Sequence, residues 1–186
     1  MKIRRTLIAA AAAAALFLPI AACSSSSSSS GSTSTTVSTS GDQVTDTQCP
    51  FTGTVGTTSG GKSGVSSALS SIVNSKQGCV DSIQLNLGSV GSWSIAYATG
   101  PVVDGSGATV ATQGTATLVV TLAPGSWNGS PAAPTTVLPV QLDYVQSINV
   151  VSGPNNSLLV VFGLSSKKPY QASDSQTPAY ISLGIG

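Results

Sequence analysis

Residues 56–63, Gly-Thr-Thr-Ser-Gly-Gly-Lys-Ser, satisfy every specified position of the pattern Gly-x-x-x-x-Gly-Lys-[Ser/Thr]. In a phosphate-binding loop of that pattern, backbone N–H groups and a helix N-terminus cradle the phosphates; Lys62 would reach the β and γ oxygens and Ser63 would hold Mg²⁺. The surroundings argue against it. Residues 51–67 are so rich in Gly, Ser and Thr that one lysine completes the pattern by composition. No alternating strand–helix series follows, and the hydrophobic run ending at Asp143 is a poor metal-holding partner. The expected structure here is a flexible or hairpin-like loop, with no nucleotide. Ser59-x-x-Lys62 and Ser165-x-x-Lys168 have the spacing of a serine–lysine dyad, but in a serine-rich chain such matches cost little, and the companion motifs are missing.

Composition removes further chemistry. The chain has no His and no Glu, and its only arginines are Arg4 and Arg5. A Ser-His-Asp triad, the familiar zinc sites and glutamate acid/base pairs therefore cannot be assembled from it. From residue 49 onward, Lys62, Lys76, Lys167 and Lys168 balance Asp81, Asp104, Asp143 and Asp174. Scattered lysines do not make a nucleic-acid surface. The expectation is a protein that is not an enzyme, with no catalytic residue, cofactor or metal site and no nucleic-acid partner.

The first residues set the compartment. Lys2, Arg4 and Arg5 precede an apolar run from Leu7 to Ile20 that is shorter than a comfortable membrane span, the layout of a secretory signal over 1–22. Ile20-Ala21-Ala22-Cys23 resembles the bacterial lipobox, in which the cysteine is lipidated and becomes the first mature residue. Lipidation at Cys23 would anchor the protein to the outer face of the cell membrane. Removing Cys23 from the count leaves Cys49 and Cys79, and an even pair in an exported protein reads as a disulfide. Closing that loop would contribute about 3 to 4 kcal/mol through chain entropy. Residues 23–48 are nearly all Ser, Thr and Gly after the cysteine, too polar to offset their ordering entropy, so they are expected to form a disordered tether.

Residues 49–186 have the size of one domain. Ile83, Leu85 and Leu87 alternate with polar residues, as do Trp93, Ile95 and Tyr97, which is strand periodicity. A hairpin is expected around Asp104-Gly105-Ser106-Gly107, and further strands over 115–122, 142–151, 157–164 and 179–185, with turns at Pro154-Asn155-Asn156 and Lys168-Pro169. Residues 117–122 and 158–164 are apolar enough to be central strands covered on both faces. Many short strands with frequent Gly and Pro point to an all-β fold, an antiparallel β-sandwich of two packed sheets.

The order of these features resembles the AMIN-like domain family of actinobacterial lipoproteins and secreted proteins. The family pattern falls on Gly78 and Asp81, on Tyr97, on Pro101 with the 104–107 turn, on Leu118 to Leu122, and on Lys168-Pro169-Tyr170 before Ile181 to Ile185. Ser82 stands where the family usually has Arg, Ala96 lies in a strand that often carries Arg, and Cys79 replaces the usual aromatic residue. Taken alone, Val65, Ala68, Leu69, Ile72 and Val73 recur at helical spacing; the resemblance implies a strand there, and the weak helix formers around them favour it.

The resemblance implies a β-sandwich that localises envelope proteins, with peptidoglycan or another envelope glycan as ligand. Trp127, Tyr144 and Tyr170 are the aromatic candidates for a sugar face, Trp127 foremost because its surroundings read as a loop, whereas Trp93 and Tyr97 share the inward alternation of Ile95. The alternative is a structural lipoprotein that meets another envelope protein through a sheet edge or a loop face.

Overall fold

The computed structural model describes residues 38–40, 43–45, 50–130, 132–137, 139 and 141–186. The signal region, Cys23 and Cys49 lie outside these residues. Every regular element described is a strand. In chain order they are β1 (Ser38–Ser40), β2 (Gln43–Thr45), β3 (Thr52–Thr54), β4 (Thr57–Gly60), β5 (Ser67–Gln77), β6 (Val80–Leu87) and β7 (Trp93–Tyr97). There follow β8 (Ala116–Leu122), β9 (Gly125–Trp127), β10 (Thr135–Val137), β11 (Val145–Ser152), β12 (Leu158–Leu164), β13 (Tyr170–Gln176) and β14 (Ala179–Ile185). The front sheet runs β1-β4-β7-β8-β12-β11-β10 and the back sheet β2-β3-β13-β14-β6-β5-β9. Pairing is antiparallel apart from β5 with β9, so the expected antiparallel sandwich is the observed fold.

Alternation along the strands builds the core between the sheets. Ile83, Leu85 and Leu87 of β6 meet Trp93 and Ile95 of β7, Leu118, Val120 and Leu122 of β8, and Ile181, Leu183 and Ile185 of β14. The stretch 67–77 is a strand throughout, as the family resemblance implied. Its helical spacing is overridden by pairing with β6 through a two-residue connection, Gly78–Cys79, in which Gly78 takes φ +63°. A residue without Cβ is what the first position of that tight turn requires.

β12 is buried along its whole length. Leu158, Val160, Phe162 and Leu164 enter the core, while Leu159 and Val161 face the other way and pack with Val151 under Val102 and Val110. The second cover is therefore the excursion between β7 and β8, lying on the outside of the front sheet, rather than another sheet. The hairpin expected around residues 104–107 is reduced to one bridge, Val103 with Thr109. Asp104 closes that turn by accepting from the N–H groups of Ser106 and Ala108, and the excursion is pinned by Gly105 N–H to the Ser152 carbonyl and Gln113 N–H to Ser147 Oγ. Gly163 is the point of closest approach: a Cβ there would lie 2.1 Å from the Gln113 carbonyl oxygen. The turn at Pro154-Asn155-Asn156 is present, with both asparagines at positive φ.

Two local expectations are corrected. Residues 52–60 are not a loop or a hairpin: β3 and β4 belong to opposite sheets, so the chain crosses the sandwich between them. β13 was not foreseen, because its Gln, Ser and Asp residues carry no apolar alternation. Within the expected tether, β1 and β2 pair with β4 and β3, an arrangement that needs only backbone groups at open sheet edges.

Candidate functional site

The site begins at the Gly78 turn, because that turn fixes where β6 starts. Asp81, the second residue of β6, is fully buried. Its carboxylate accepts hydrogen bonds from the backbone N–H groups of Asp143 (2.9 Å), Tyr144 (2.7 Å) and Val145 (2.9 Å). A buried carboxylate survives only with such compensation. It ties the start of β11, in the front sheet, to β6 in the back sheet. Lys76, opposite Asp81 across the hairpin, reaches Asp143 at 2.7 Å; with both side chains roughly two-fifths exposed, this pair stabilises little.

With residues 143–145 fixed, Tyr144 is half-buried against the core and accepts Ser165 N–H on its carbonyl oxygen. Ser165 opens the connection to β13, and the Tyr97 hydroxyl clasps that connection further on, donating to the Lys168 carbonyl (2.5 Å) and accepting from its N–H (3.0 Å). Burial pushes the Tyr97 pKa up to about 12, so the clasp keeps its proton at neutral pH. The two lysines then splay apart: the Lys167 ammonium lies 5.1 Å from the Tyr97 ring centroid and that of Lys168 lies 4.7 Å from the Tyr144 centroid. Contacts of this kind contribute about 0.5–1 kcal/mol where exposed, and they set where the charges stand.

Lys167 overhangs a groove of about 600 Å³ at this end of the front sheet. Tyr97, Ala96, Thr99 and Thr117 line it, together with the Val55–Thr57 corner. A cation, a tyrosine and hydroxyl groups around a shallow concavity can hold a polar polymer. No described nucleophile in it is paired with a base.

The expected aromatic face does not assemble. Tyr170 is fully buried, its hydroxyl within 2.5 Å of the Gly56 carbonyl oxygen and 2.8 Å of that of Ile95, so its ring faces the core and an edge-on Tyr97 rather than a ligand. Trp127 lies on β9, half-buried against the core with Gly129 over its ring. Pairing of Leu122 with Leu158 there, and of Ala116 with Leu164 beside Tyr144, puts Trp127 at the opposite end of the sheets. Of the three, Tyr144 carries a lysine over its ring, and Tyr170 backs Tyr97 from the core. Tyr97 and Lys167 were passed over, the first because inward alternation reads as core and the second because the scattered lysines were weighed only against a nucleic-acid surface. The available signal was Lys168-Pro169-Tyr170.

The former phosphate-loop match is half strand, and its Gly61-Lys62-Ser63 end is a single bridge running into a turn. Thr57–Gly60 pairs with β7, and Gly61, at φ +83°, passes against Gly91, where a Cβ would meet its carbonyl oxygen at 1.9 Å. No helix N-terminus follows; the next element is β5. Among the described residues no group of three or more Cys or Asp side chains could hold a metal ion.

The class defined by this geometry is a two-sheet β-sandwich with a basic, aromatic end. A family model for the AMIN-like domain matches residues 68–185, more than half of the chain, and the chain belongs to that family. Domains of the family are non-catalytic modules associated with the cell envelope and its peptidoglycan, found in secreted and periplasmic envelope proteins. Searches of curated proteins and of solved structures return no match.

Proposed function

We propose that this protein is a lipoprotein, anchored through Cys23 to the outer face of the cell membrane, whose sandwich holds peptidoglycan or another envelope glycan without altering it. The carrying observation is the groove beneath Lys167, where a cation held over the Tyr97 ring meets a floor of Thr and Ala side chains. Glycan hydroxyls pair with threonine and backbone groups, and carboxylate-bearing peptide stems pair with the ammonium. A Cys49–Cys79 disulfide belongs to the same proposal, closing a ring around β3, β4 and β5.

Retention of the full chain on purified cell-wall sacculi tests the reading. Lys167→Ala should lower retention several-fold with the melting temperature unchanged; equal retention would remove the groove. Trp127→Ala is the companion variant: a loss there alone would move the site to the far end of the sandwich. Val103, 47% exposed on the excursion, favours the second reading, a structural lipoprotein that meets another envelope protein through this loop face. That reading predicts a specific cross-linked protein and no sacculus retention.

A further inference from the structure

The outer face of the back sheet carries a different chemistry from the lysine–tyrosine end. Strand register sets its residues in rows: Ser75, Ser82, Gly184 and Gln171 are neighbours across β5, β6, β14 and β13, and Val73, Gln84, Ser182 and Ser173 form the next row. These side chains point away from the core, because their neighbours Ile83, Leu183 and Ile185 enter it. Lys and Asp are absent from both rows.

A pocket of about 370 Å³ opens on this face near β13 and reaches past that edge to the buried Thr54, Thr58 and Tyr170. Its apolar base forms because Gly184 has no side chain: the Phe51 ring and Val80 come within 3.5 Å and 3.4 Å of where a Cβ would stand. Its rim is Ser82, Ser173, Ser182, Gln171 and Gln77. The Gln171 amide donates to the Thr52 carbonyl and is thereby oriented. The hydroxyls of Ser82, Ser173 and Ser182 make no hydrogen bond to other described residues and are left to solvent or ligand.

We infer that this pocket is a second binding site, for an uncharged pyranose unit of a glycan chain. A sugar ring presents an apolar face of C–H groups and a periphery of hydroxyls that both donate and accept. The pocket matches both parts, with Phe51, Val80 and Gly184 beneath and hydroxyl and amide groups around, and its size falls within the range of about 300–1,000 Å³ usual for small-molecule sites. An ionic ligand would lose hydration here with no opposite charge among the residues described as lining the site. The inference does not depend on the Lys167 groove. If both sites bind, the domain grips two stretches of polymer, and the second engagement is intramolecular.

Saturation-transfer NMR on the full chain with maltotriose, cellotriose and tri-N-acetylchitotriose tests it. At least one should bind saturably, with little dependence on salt. Gly184→Val, whose added methyls fill the pocket, should weaken binding tenfold or more, and Lys62→Ala, at a residue that lines neither site, should not change it. If Gly184→Val fails to fold, the double variant Ser82→Ala/Ser173→Ala, which deletes only rim hydroxyls, carries the test and should weaken binding several-fold. Absence of binding by all three sugars at millimolar concentration overturns the site, as does binding that survives both pocket variants. Loss of sacculus retention in Lys167→Ala with trisaccharide binding intact would separate the two sites.

Discussion

Asp81 shows how one residue positions a site it does not touch. Its carboxylate holds three successive N–H groups at the entry to β11, so Asp81→Ala leaves buried donors unpaired, at about 1–3 kcal/mol each. Chemical denaturation should report a loss of about 3 kcal/mol or more, and Asp81→Asn, which keeps one acceptor, a smaller loss. Tyr97 supplies a pH signature. Its folded pKa, about 12, lies above the value near 10 of a free tyrosine, so its contribution to stability is complete below pH 10 and disappears as pH rises toward 12. Melting temperature should fall across that interval, and Tyr97→Phe should flatten the fall and remove the latest-titrating tyrosine from the absorbance at 295 nm. Burial raises the Tyr170 pKa as well, so some alkaline slope should persist in Tyr97→Phe. Tyr97 was legible as an inward-facing position, whereas Tyr170 was expected on a sugar face. Their hydroxyl partners were not legible, because those partners are backbone carbonyls from strands distant in sequence.

At the scale of elements, legibility followed apolar alternation. β6, β7 and β14 carry it, β8 and β12 are near-continuous apolar runs, and these strands and β11 all formed near their expected bounds. β13, β3 and β4 lack both; they are strands because their backbones complete a sheet, a condition no local window contains. β12 taught a related lesson, since a run apolar on both faces announces that its outer face is covered but not by what. Here the cover is the excursion over Gly163. Gly163→Ala would press a methyl into the Gln113 backbone, and an overpacking cost of about 1–3 kcal/mol is expected. Faster amide exchange confined to residues 99–114 would locate the effect. The 56–63 stretch makes the opposite point, for a complete motif is split between a strand and the turn after it. Lys62→Ala should leave the melting temperature unchanged, with or without Mg-ATP.

At the scale of the molecule, the family and the sandwich were readable from the sequence, whereas the site was readable only in part. The order of Gly78, Asp81, Tyr97 and Lys168-Pro169-Tyr170 locates the lysine–tyrosine end of the fold, but which aromatic is exposed depends on packing between sheets. Mass spectrometry of the mature N-terminus should find a diacylated or triacylated Cys23. Non-reducing peptide mapping should recover Cys49 and Cys79 as one linked species, and free thiols at both would remove the ring. Among the described residues the two outer faces differ: the front carries the 99–114 excursion over Leu159 and Val161, while the back presents its Ser and Gln rows. A body with one padded side and one bare side has a preferred way to lie against a flat wall. Neighbouring copies lying the same way would then all turn the excursion, with Val103 on it, toward whatever passes above.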